Sequence, residues 1–127
     1  NIDLLLSIEK LVSGIPGIRF DTDFTAAPKI RSVQLAETIL RCVQEALTNI
    51  IRHSGASRCQ IDMTESDGMC LLIVRDNGAS NEQVVSGNGI KGMRERVLAQ
   101  GGSLNLEKDL EGFTLEIELP LGVTNED

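Results

Sequence analysis

Glu45 and Asn49 are polar residues in a stretch, 32–53, whose remaining positions carry a strong apolar stripe. They are four residues apart, so on a helix both side chains would project from one face. A carboxylate beside a carboxamide oxygen suits Mg²⁺, which takes one or two protein oxygens and completes its shell with water and phosphate. A solvated polar helix face explains such a pair equally simply, so a metal site needs support from elsewhere in the chain.

Asp76, Asn77 and Gly78 follow directly after an apolar run. A carboxylate at the end of a strand, directed into a cleft, can accept the exocyclic N–H of adenine, and a glycine lets a ligand approach the backbone. The same three residues are also an ordinary turn sequence. Both interpretations stay open at this point.

A glycine pattern at positions 87, 89 and 92 precedes a helical pattern. Free backbone N–H groups at the start of a helix suit a phosphate. A dinucleotide-binding fold would require a strand directly before Gly87, but 81–86 has the composition of a loop. A protein-kinase glycine loop is excluded because no H-R-D or D-F-G follows. The glycines by themselves therefore identify neither of these two phosphate-binding classes.

The periodicity of the apolar residues predicts the elements that must position these side chains. Ser32 is a suitable N-cap for the long helix and Gly55 a suitable stop, while Asp67-Gly68 is a hairpin turn. We predict helices at 2–13, 32–53 and 90–100, and strands at 18–24, 59–64, 70–74, 103–107 and 113–119. Because strands come in adjacent pairs with helices between them, the predicted fold is α+β: a two-layer α/β sandwich with a mixed, largely antiparallel sheet.

Length and composition narrow the class of protein. The 127 residues fit a single domain, with a leading helix at 1–14, a core at about 17–121 and a tail at 122–127. The formal net charge of −7 argues against a nucleic-acid binder that recognises phosphates without sequence preference. An odd number of cysteines without C-x-x-C spacing argues against zinc and against disulfides. The chain reads as an excised segment without direct membrane contact, since no apolar run approaches the 18 residues that a membrane span requires.

The order of the motifs is more specific than any one of them. E-A-L-T-N-I-I-R-H-S comes first, then D-N-G, then G-N-G-I-K-G-M-R-E-R, and finally G-F-T-L-E-I-E-L-P. Over about 33–121 this series resembles the Bergerat-type ATP-binding fold of gyrase, Hsp90, histidine kinases and MutL. Within that superfamily the first and third motifs look like the nitrate-sensor-type branch of the histidine kinases.

The resemblance implies roles for the residues of the long helix and of the strand that follows it. Asn49 matches the Mg²⁺-binding asparagine, and Glu45 the acidic residue beside it, which would be catalytic and near the metal. Arg52 and His53 fall where such kinases place side chains near the phosphates and ribose. Asp76 matches the adenine-reading aspartate.

It also implies roles for the later motifs. The glycine beside Asp76, Gly78, would let the base approach. The lid glycines are matched by Gly87, Gly89 and Gly92, with Ile90 among them, and Thr114 lies near the final threonine box. Two departures stand out: Ser80 replaces a second glycine, and Gly112-Phe113-Thr114 replaces Gly-Thr.

The implied function is that of an ATP- and Mg²⁺-binding catalytic domain of a two-component sensor histidine kinase. Such a kinase transfers the γ-phosphoryl group of ATP to a histidine on a dimerising helical domain, and then to a response regulator. His53 is the one histidine here, and it reads as a ligand contact or a satisfied polar residue at the helix end rather than as the phosphoacceptor. Because the dimerising helices and their acceptor histidine are absent from this sequence, we expect the chain by itself to be a monomer that binds ATP without phosphorylating itself. The parent protein would be a homodimeric, membrane-anchored sensor of which this chain is a cytoplasmic part.

Some alternatives stay open. Lys91, Arg94 and Arg96 could contact phosphates, dock the dimerising helices, or form a solvated basic helix face. An anti-sigma serine kinase shares the fold and phosphorylates a partner protein instead. A non-catalytic nucleotide-binding module of the same fold is a third possibility.

Overall fold

The fold is given by a computed structural model that describes residues 3–78 and 88–122. The helices are α1 (Leu4–Ser13), α2 (Val33–Asn49), a π-helical turn (Ile50–Ser54) and α3 (Asn88–Ala99). The strands are β1 (Arg19–Asp23), β2 (Arg58–Ser66), β3 (Met69–Asp76), β4 (Ser103–Asp109) and β5 (Gly112–Pro120). Along the chain β1 follows the first helix, and the other four strands come in two consecutive pairs, β2–β3 and β4–β5, separated by the third α-helix.

Helix α2 begins as predicted and ends differently. The Ser32 hydroxyl accepts a hydrogen bond from the backbone N–H of Leu35 at 3.1 Å, which is an N-cap. The α-helix stops at Asn49, and the last turn before Gly55 (φ +68°) is a π-helix. One wider turn leaves the three- and four-residue spacing of apolar side chains nearly unchanged, so the sequence pattern does not reveal it.

Helix α3 begins two residues earlier than the apolar pattern predicts. Gly89 and Gly92 both lie inside it. Glycine is a poor helix former, so the composition of this segment hid the first turn. Gly87 lies outside the described residues.

The sheet has the order β1-β2-β3-β5-β4. Strand β1 pairs with β2 in parallel, and the other neighbours are antiparallel. The β2–β3 hairpin turns at Asp67 (φ 54°) and Gly68 (φ 77°), the two positive φ angles that a type I′ turn requires. The predicted α+β class and the mixed, largely antiparallel sheet are confirmed.

The core lies between the helices and one face of the sheet. Ile39 and Val43 of α2 and Met93 and Val97 of α3 are fully buried. On the sheet side the alternate residues of β2, β3 and β5 form the facing layer: Cys59, Ile61, Met63, Cys70, Leu72, Val74, Leu115, Ile117 and Leu119. Within the described ranges no helix combines the length and the apolar character that crossing a membrane requires.

Candidate functional site

A small cavity of about 30 Å³ lies where the end of α2 and the start of α3 meet the sheet. Among its lining residues only Asn49 and Asp76 carry polar side chains; the others are Ala46, Ile50, Val74, Ile90, Leu106, Phe113 and Leu115. An apolar cavity with a few convergent polar groups is the usual form of a small-molecule site.

Asp76 enters this cavity because of the alternation of β3. Cys70, Leu72 and Val74 face the helices, and Asp76 is the next residue with the same parity. It is 7% exposed. Burial raises the pKa of its carboxyl, and this is opposed by backbone N–H groups of Gly78 and Phe113 and by the charge of Lys108.

The carboxylate of Asp76 is held by the turn that follows it. The backbone N–H of Gly78 donates to Oδ1 at 2.7 Å. That bond fixes the carboxylate in the cavity wall and leaves lone pairs for a further donor. The arrangement can bind a group that presents N–H in an otherwise apolar setting.

Asn49 contributes the second polar group. It is the last residue of α2, and its Nδ2 atom is buried without a hydrogen-bond partner in the described part of the chain. A buried donor without a partner costs about 1–3 kcal/mol. A half-turn of the terminal amide exchanges its nitrogen and oxygen, so Asn49 can present either a donor or a hard oxygen to a ligand.

Glu45 lies one turn before Asn49 and contacts α3. A side chain at Gly89 would collide with its carboxylate, so the absence of a side chain at Gly89 permits this approach. A carboxylate at the first turn of a helix interacts favourably with the helix dipole. Glu45 thus links α2 to the start of α3 and does not line the cavity.

The remaining predicted residues of α2, β3 and α3 are not all brought together. Ile90 is buried in the cavity wall, and Gly78 is buried beside Asp76. An added Cβ at Gly92 would meet open space. Arg52 is exposed in the π turn. The His53 side chain, Gly87 and Ser80 lie outside what the structure describes.

Thr114 lies on the other face of the sheet. In β5 the alternate residues Phe113, Leu115, Ile117 and Leu119 are buried. Thr114 therefore points away from the helices together with Glu116. It lines a polar groove of about 350 Å³ on that outer face. Phe113, and not Thr114, reaches the cavity; the apolar alternation of β5 was the signal in the sequence that could have identified it.

Asn77 has a structural function that the sequence did not suggest. Its Oδ1 accepts from the backbone N–H groups of Ser57 and Arg58, each at 2.9 Å, and its Nδ2 donates to the Ser57 hydroxyl at 3.1 Å. The side chain therefore ties the end of β3 to the start of β2. It fixes the strand end that carries Asp76.

Comparison with known proteins places this geometry in a family context. Residues 34–123 match the model of the "Histidine kinase-, DNA gyrase B-, and HSP90-like ATPase" family. The chain is 33% identical over 106 residues to the sensor histidine kinase LnrJ of Bacillus subtilis (strain 168), covering 83% of this chain and 26% of LnrJ. It is 37% identical over 94 residues to the sensor histidine kinase YxjM of the same strain, covering 73% and 23%. The chain thus spans about a quarter of the length of these relatives.

Solved structures share the fold. The blue-light activated histidine kinase of Erythrobacter litoralis EL346 superposes with a TM-score of 0.76 at 24% identity, over 98% of this chain and 41% of that one. The ATP binding domain of PrrB from Mycobacterium tuberculosis gives 0.72 at 22% identity, over 93% and 91%.

Proposed function

We propose that this chain, which belongs to the histidine kinase-, DNA gyrase B- and HSP90-like ATPase family, is the ATP-binding catalytic domain of a two-component sensor histidine kinase. The similarity to sensor histidine kinases over most of the chain supports this. The phosphoacceptor is a histidine on a dimerising helical domain, and the phosphoryl group then passes to a response regulator. His53, the one histidine in the sequence, follows the nucleotide-binding helix.

The observation that carries the proposal is the pair of polar groups in one apolar cavity. The buried carboxylate of Asp76 accepts the exocyclic N–H of adenine, and Asn49 supplies the second polar contact. Guanine presents a carbonyl oxygen where adenine presents this amino group, and that oxygen would face the carboxylate. In a dry site such a mismatch is expensive, so we expect selection of ATP over GTP.

The site fits a magnesium ion shared with the nucleotide. The Nδ2 of Asn49 has no hydrogen-bond partner among the described residues, and a half-turn of the amide would present its oxygen at that position; Glu45 lies one turn away. Within 3–78 and 88–122 no group of three or more His, Cys, Asp or Glu side chains could hold a metal alone, so Asn49 and Glu45 would hold the ion together with the phosphates of the nucleotide. When bound, Mg²⁺ neutralises phosphate charge.

Base binding requires one side of the cavity to move. The cavity volume of about 30 Å³ is far below the roughly 300–1,000 Å³ of small-molecule pockets, so the cavity does not hold a purine as it stands. Ile90 lies in the first turn of α3, directly against the cavity. We propose that this turn shifts when ATP enters, so that Gly87, Gly89 and Gly92 close over the phosphates near Arg52 and His53.

Calorimetric titration with a non-hydrolysable ATP analogue, with and without Mg²⁺, tests the proposal. We expect micromolar binding that weakens without Mg²⁺ and is lost in Asp76→Asn. Asp67→Asn is the matched control, because Asp67 lies in the exposed hairpin turn at the opposite end of β3 and Asn suits a type I′ turn. Absence of binding at millimolar nucleotide would leave a non-catalytic module of the same fold as the better description.

A further inference from the structure

We propose that Phe113 and Lys108 form the wall of the nucleotide site against which the purine base packs, with the Phe113 ring contacting the base and Lys108 holding the ring. We call this pair the Phe113–Lys108 wall. The inference rests on the proposed function and adds the residues that determine how tightly the base is held.

Phe113 is the residue directly opposite Asp76 in the sheet. The two are partners in the β3–β5 register, and the backbone N–H of Phe113 lies close enough to the Asp76 carboxylate to oppose the rise of its pKa. Directly opposed residues place their Cβ atoms about 4.5–5.5 Å apart. The ring also lines the cavity. A base that donates to Asp76 must therefore lie against this ring.

The backbone around Phe113 is rigidly placed. Gly112 has a φ of +144°, and a side chain there would overlap the carbonyl oxygen of Asp76. This close approach, which only glycine permits, presses the start of β5 against the end of β3. The close approach of Gly112 to the Asp76 carbonyl and the β3–β5 pairing thus fix the position of Phe113 relative to Asp76.

Lys108 covers the ring from the neighbouring strand. It is the β4 partner of Phe113, and its Nζ lies 5.2 Å from the ring centroid. At that distance the ammonium is attracted to the ring face. Nζ also donates to the carbonyl of Asp109 at 3.2 Å. The ring is 7% exposed, so the ammonium and the cavity lining together enclose it.

In the opposite interpretation, the Phe113 ring occupies the place of the base and must move away when nucleotide binds. The position of Phe113 argues for a wall, because Phe113 lies on a paired strand directly opposite Asp76 and its ring is covered by Lys108. Ile90 lies at the end of a helix instead. The first turn of α3 is therefore the part that yields, and Phe113 stays in place.

Fluorescence offers a direct test, because the sequence contains no Trp and no Tyr. Phe113→Trp creates a single emitter in the proposed wall. We expect the ATP analogue to quench its emission in a saturable way, since base and indole would stack. Phe24→Trp, in a half-buried residue that packs on the core away from the cavity, is the control and should not respond. Unchanged Phe113→Trp emission at saturating nucleotide would overturn the inference.

Calorimetry supplies a second measurement that does not depend on an inserted tryptophan. Phe113→Leu keeps an apolar side chain without the ring, and should weaken analogue binding roughly tenfold. Lys108→Met should weaken analogue binding about threefold. Lys108→Arg should bind the analogue as tightly as the parent chain, because Arg also stacks on aromatic rings. Lys29→Met, in an exposed loop, is the matched control.

The outcomes separate this inference from the proposed function. If Phe113→Leu binds as tightly as the parent chain or more tightly, while Asp76→Asn loses binding, the wall is wrong and the nucleotide site stands. If the parent chain binds no analogue at all, both the Phe113–Lys108 wall and the proposed ATP-binding function are wrong.

Discussion

At the scale of single residues, Asp76 combines a functional demand with a cost to stability. An ionised carboxylate in an apolar cavity loses hydration that a neutral amide would not lose to the same degree. Burial therefore raises the pKa of Asp76 above its ordinary value of 3.8. The proposed recognition of adenine would be a physical reason to retain such a group at the end of a buried strand face.

Asp76→Asn should unfold at the same temperature as the parent chain, or higher, at neutral pH without nucleotide. As pH rises, the Asp76 carboxyl ionises in the unfolded chain before it does so in the folded chain, because its pKa is lower when the chain is unfolded. The native state then binds more protons, so the stability of the parent chain falls across the window above pH 3.8. The advantage of Asp76→Asn should accordingly be small near pH 4 and grow towards neutrality.

Thermal unfolding from pH 4 to pH 8 measures this difference. A lower midpoint for Asp76→Asn at neutral pH would mean that hydrogen bonds from Gly78 and Phe113 to the charged carboxylate outweigh the desolvation. Asp67→Asn again serves as the control, because it makes the same chemical change at an exposed residue of the hairpin turn.

At the scale of elements, the end of β3 depends on its attachment to β2. Asn77→Ala removes three side-chain hydrogen bonds to Ser57 and Arg58. We expect a loss of about 1–3 kcal/mol in the free energy of unfolding, together with weaker ATP-analogue binding because Asp76 loses its support. Urea unfolding and calorimetry measure the two effects.

The matched variant is Asn77→Asp. It keeps an acceptor for the N–H groups of Ser57 and Arg58 and loses only the donor to the Ser57 hydroxyl, so its effects should be smaller on both measurements. Equal effects of the two substitutions would show that the β2 attachment does not depend on the accepted hydrogen bonds.

The two glycines of α3 make a second prediction at this scale. Gly92→Ala places a methyl group in open space inside a helix, and should stabilise the chain by up to about 1 kcal/mol. Gly89→Ala gains the same helix propensity but collides with the Glu45 carboxylate. It should therefore be less stable than Gly92→Ala.

Chemical denaturation measures the free energies of unfolding of the two variants. Because both are Gly→Ala substitutions in one helix, the difference between them reports the contact with Glu45. If Gly89→Ala and Gly92→Ala are equally stable, Glu45 moves away freely and does not fix the start of α3.

At the scale of the whole molecule, the cysteines report on global stability. Cys42, Cys59 and Cys70 are all buried, and burial raises the pKa values of their thiols to about 11, 12 and 11. Only the thiolate reacts with alkylating reagents. Modification of the folded chain at pH 8 should therefore require opening of the core.

Nucleotide should slow this modification by mass action. At a hundred times its dissociation constant, a ligand that binds only the native state adds about 2.7 kcal/mol, which corresponds to roughly a hundredfold slower labelling when reclosing is fast. Mass spectrometry of the three thiols, with and without the ATP analogue, measures this. Rapid labelling of any of them without denaturant would contradict the buried core.

The sequence by itself determined which face each element presents. The spacing of apolar residues located the helices and strands, Asp67-Gly68 located the hairpin, and Ser32 the start of α2. Parity along β3 already directed Asp76 to the side of Cys70 and Val74. These features are local, because side-chain direction repeats every two residues in a strand and every 3.6 in a helix.

Only the tertiary structure decided which side chains meet. Strand β5 lies between β3 and β4, which brings Phe113 beside Asp76 and leaves Thr114 on the outer face. The contact of Glu45 with Gly89, like the attachment of Asn77 to β2, joins residues far apart in the chain. Local periodicity cannot specify such partners, because the register between distant strands is set by how the whole core packs.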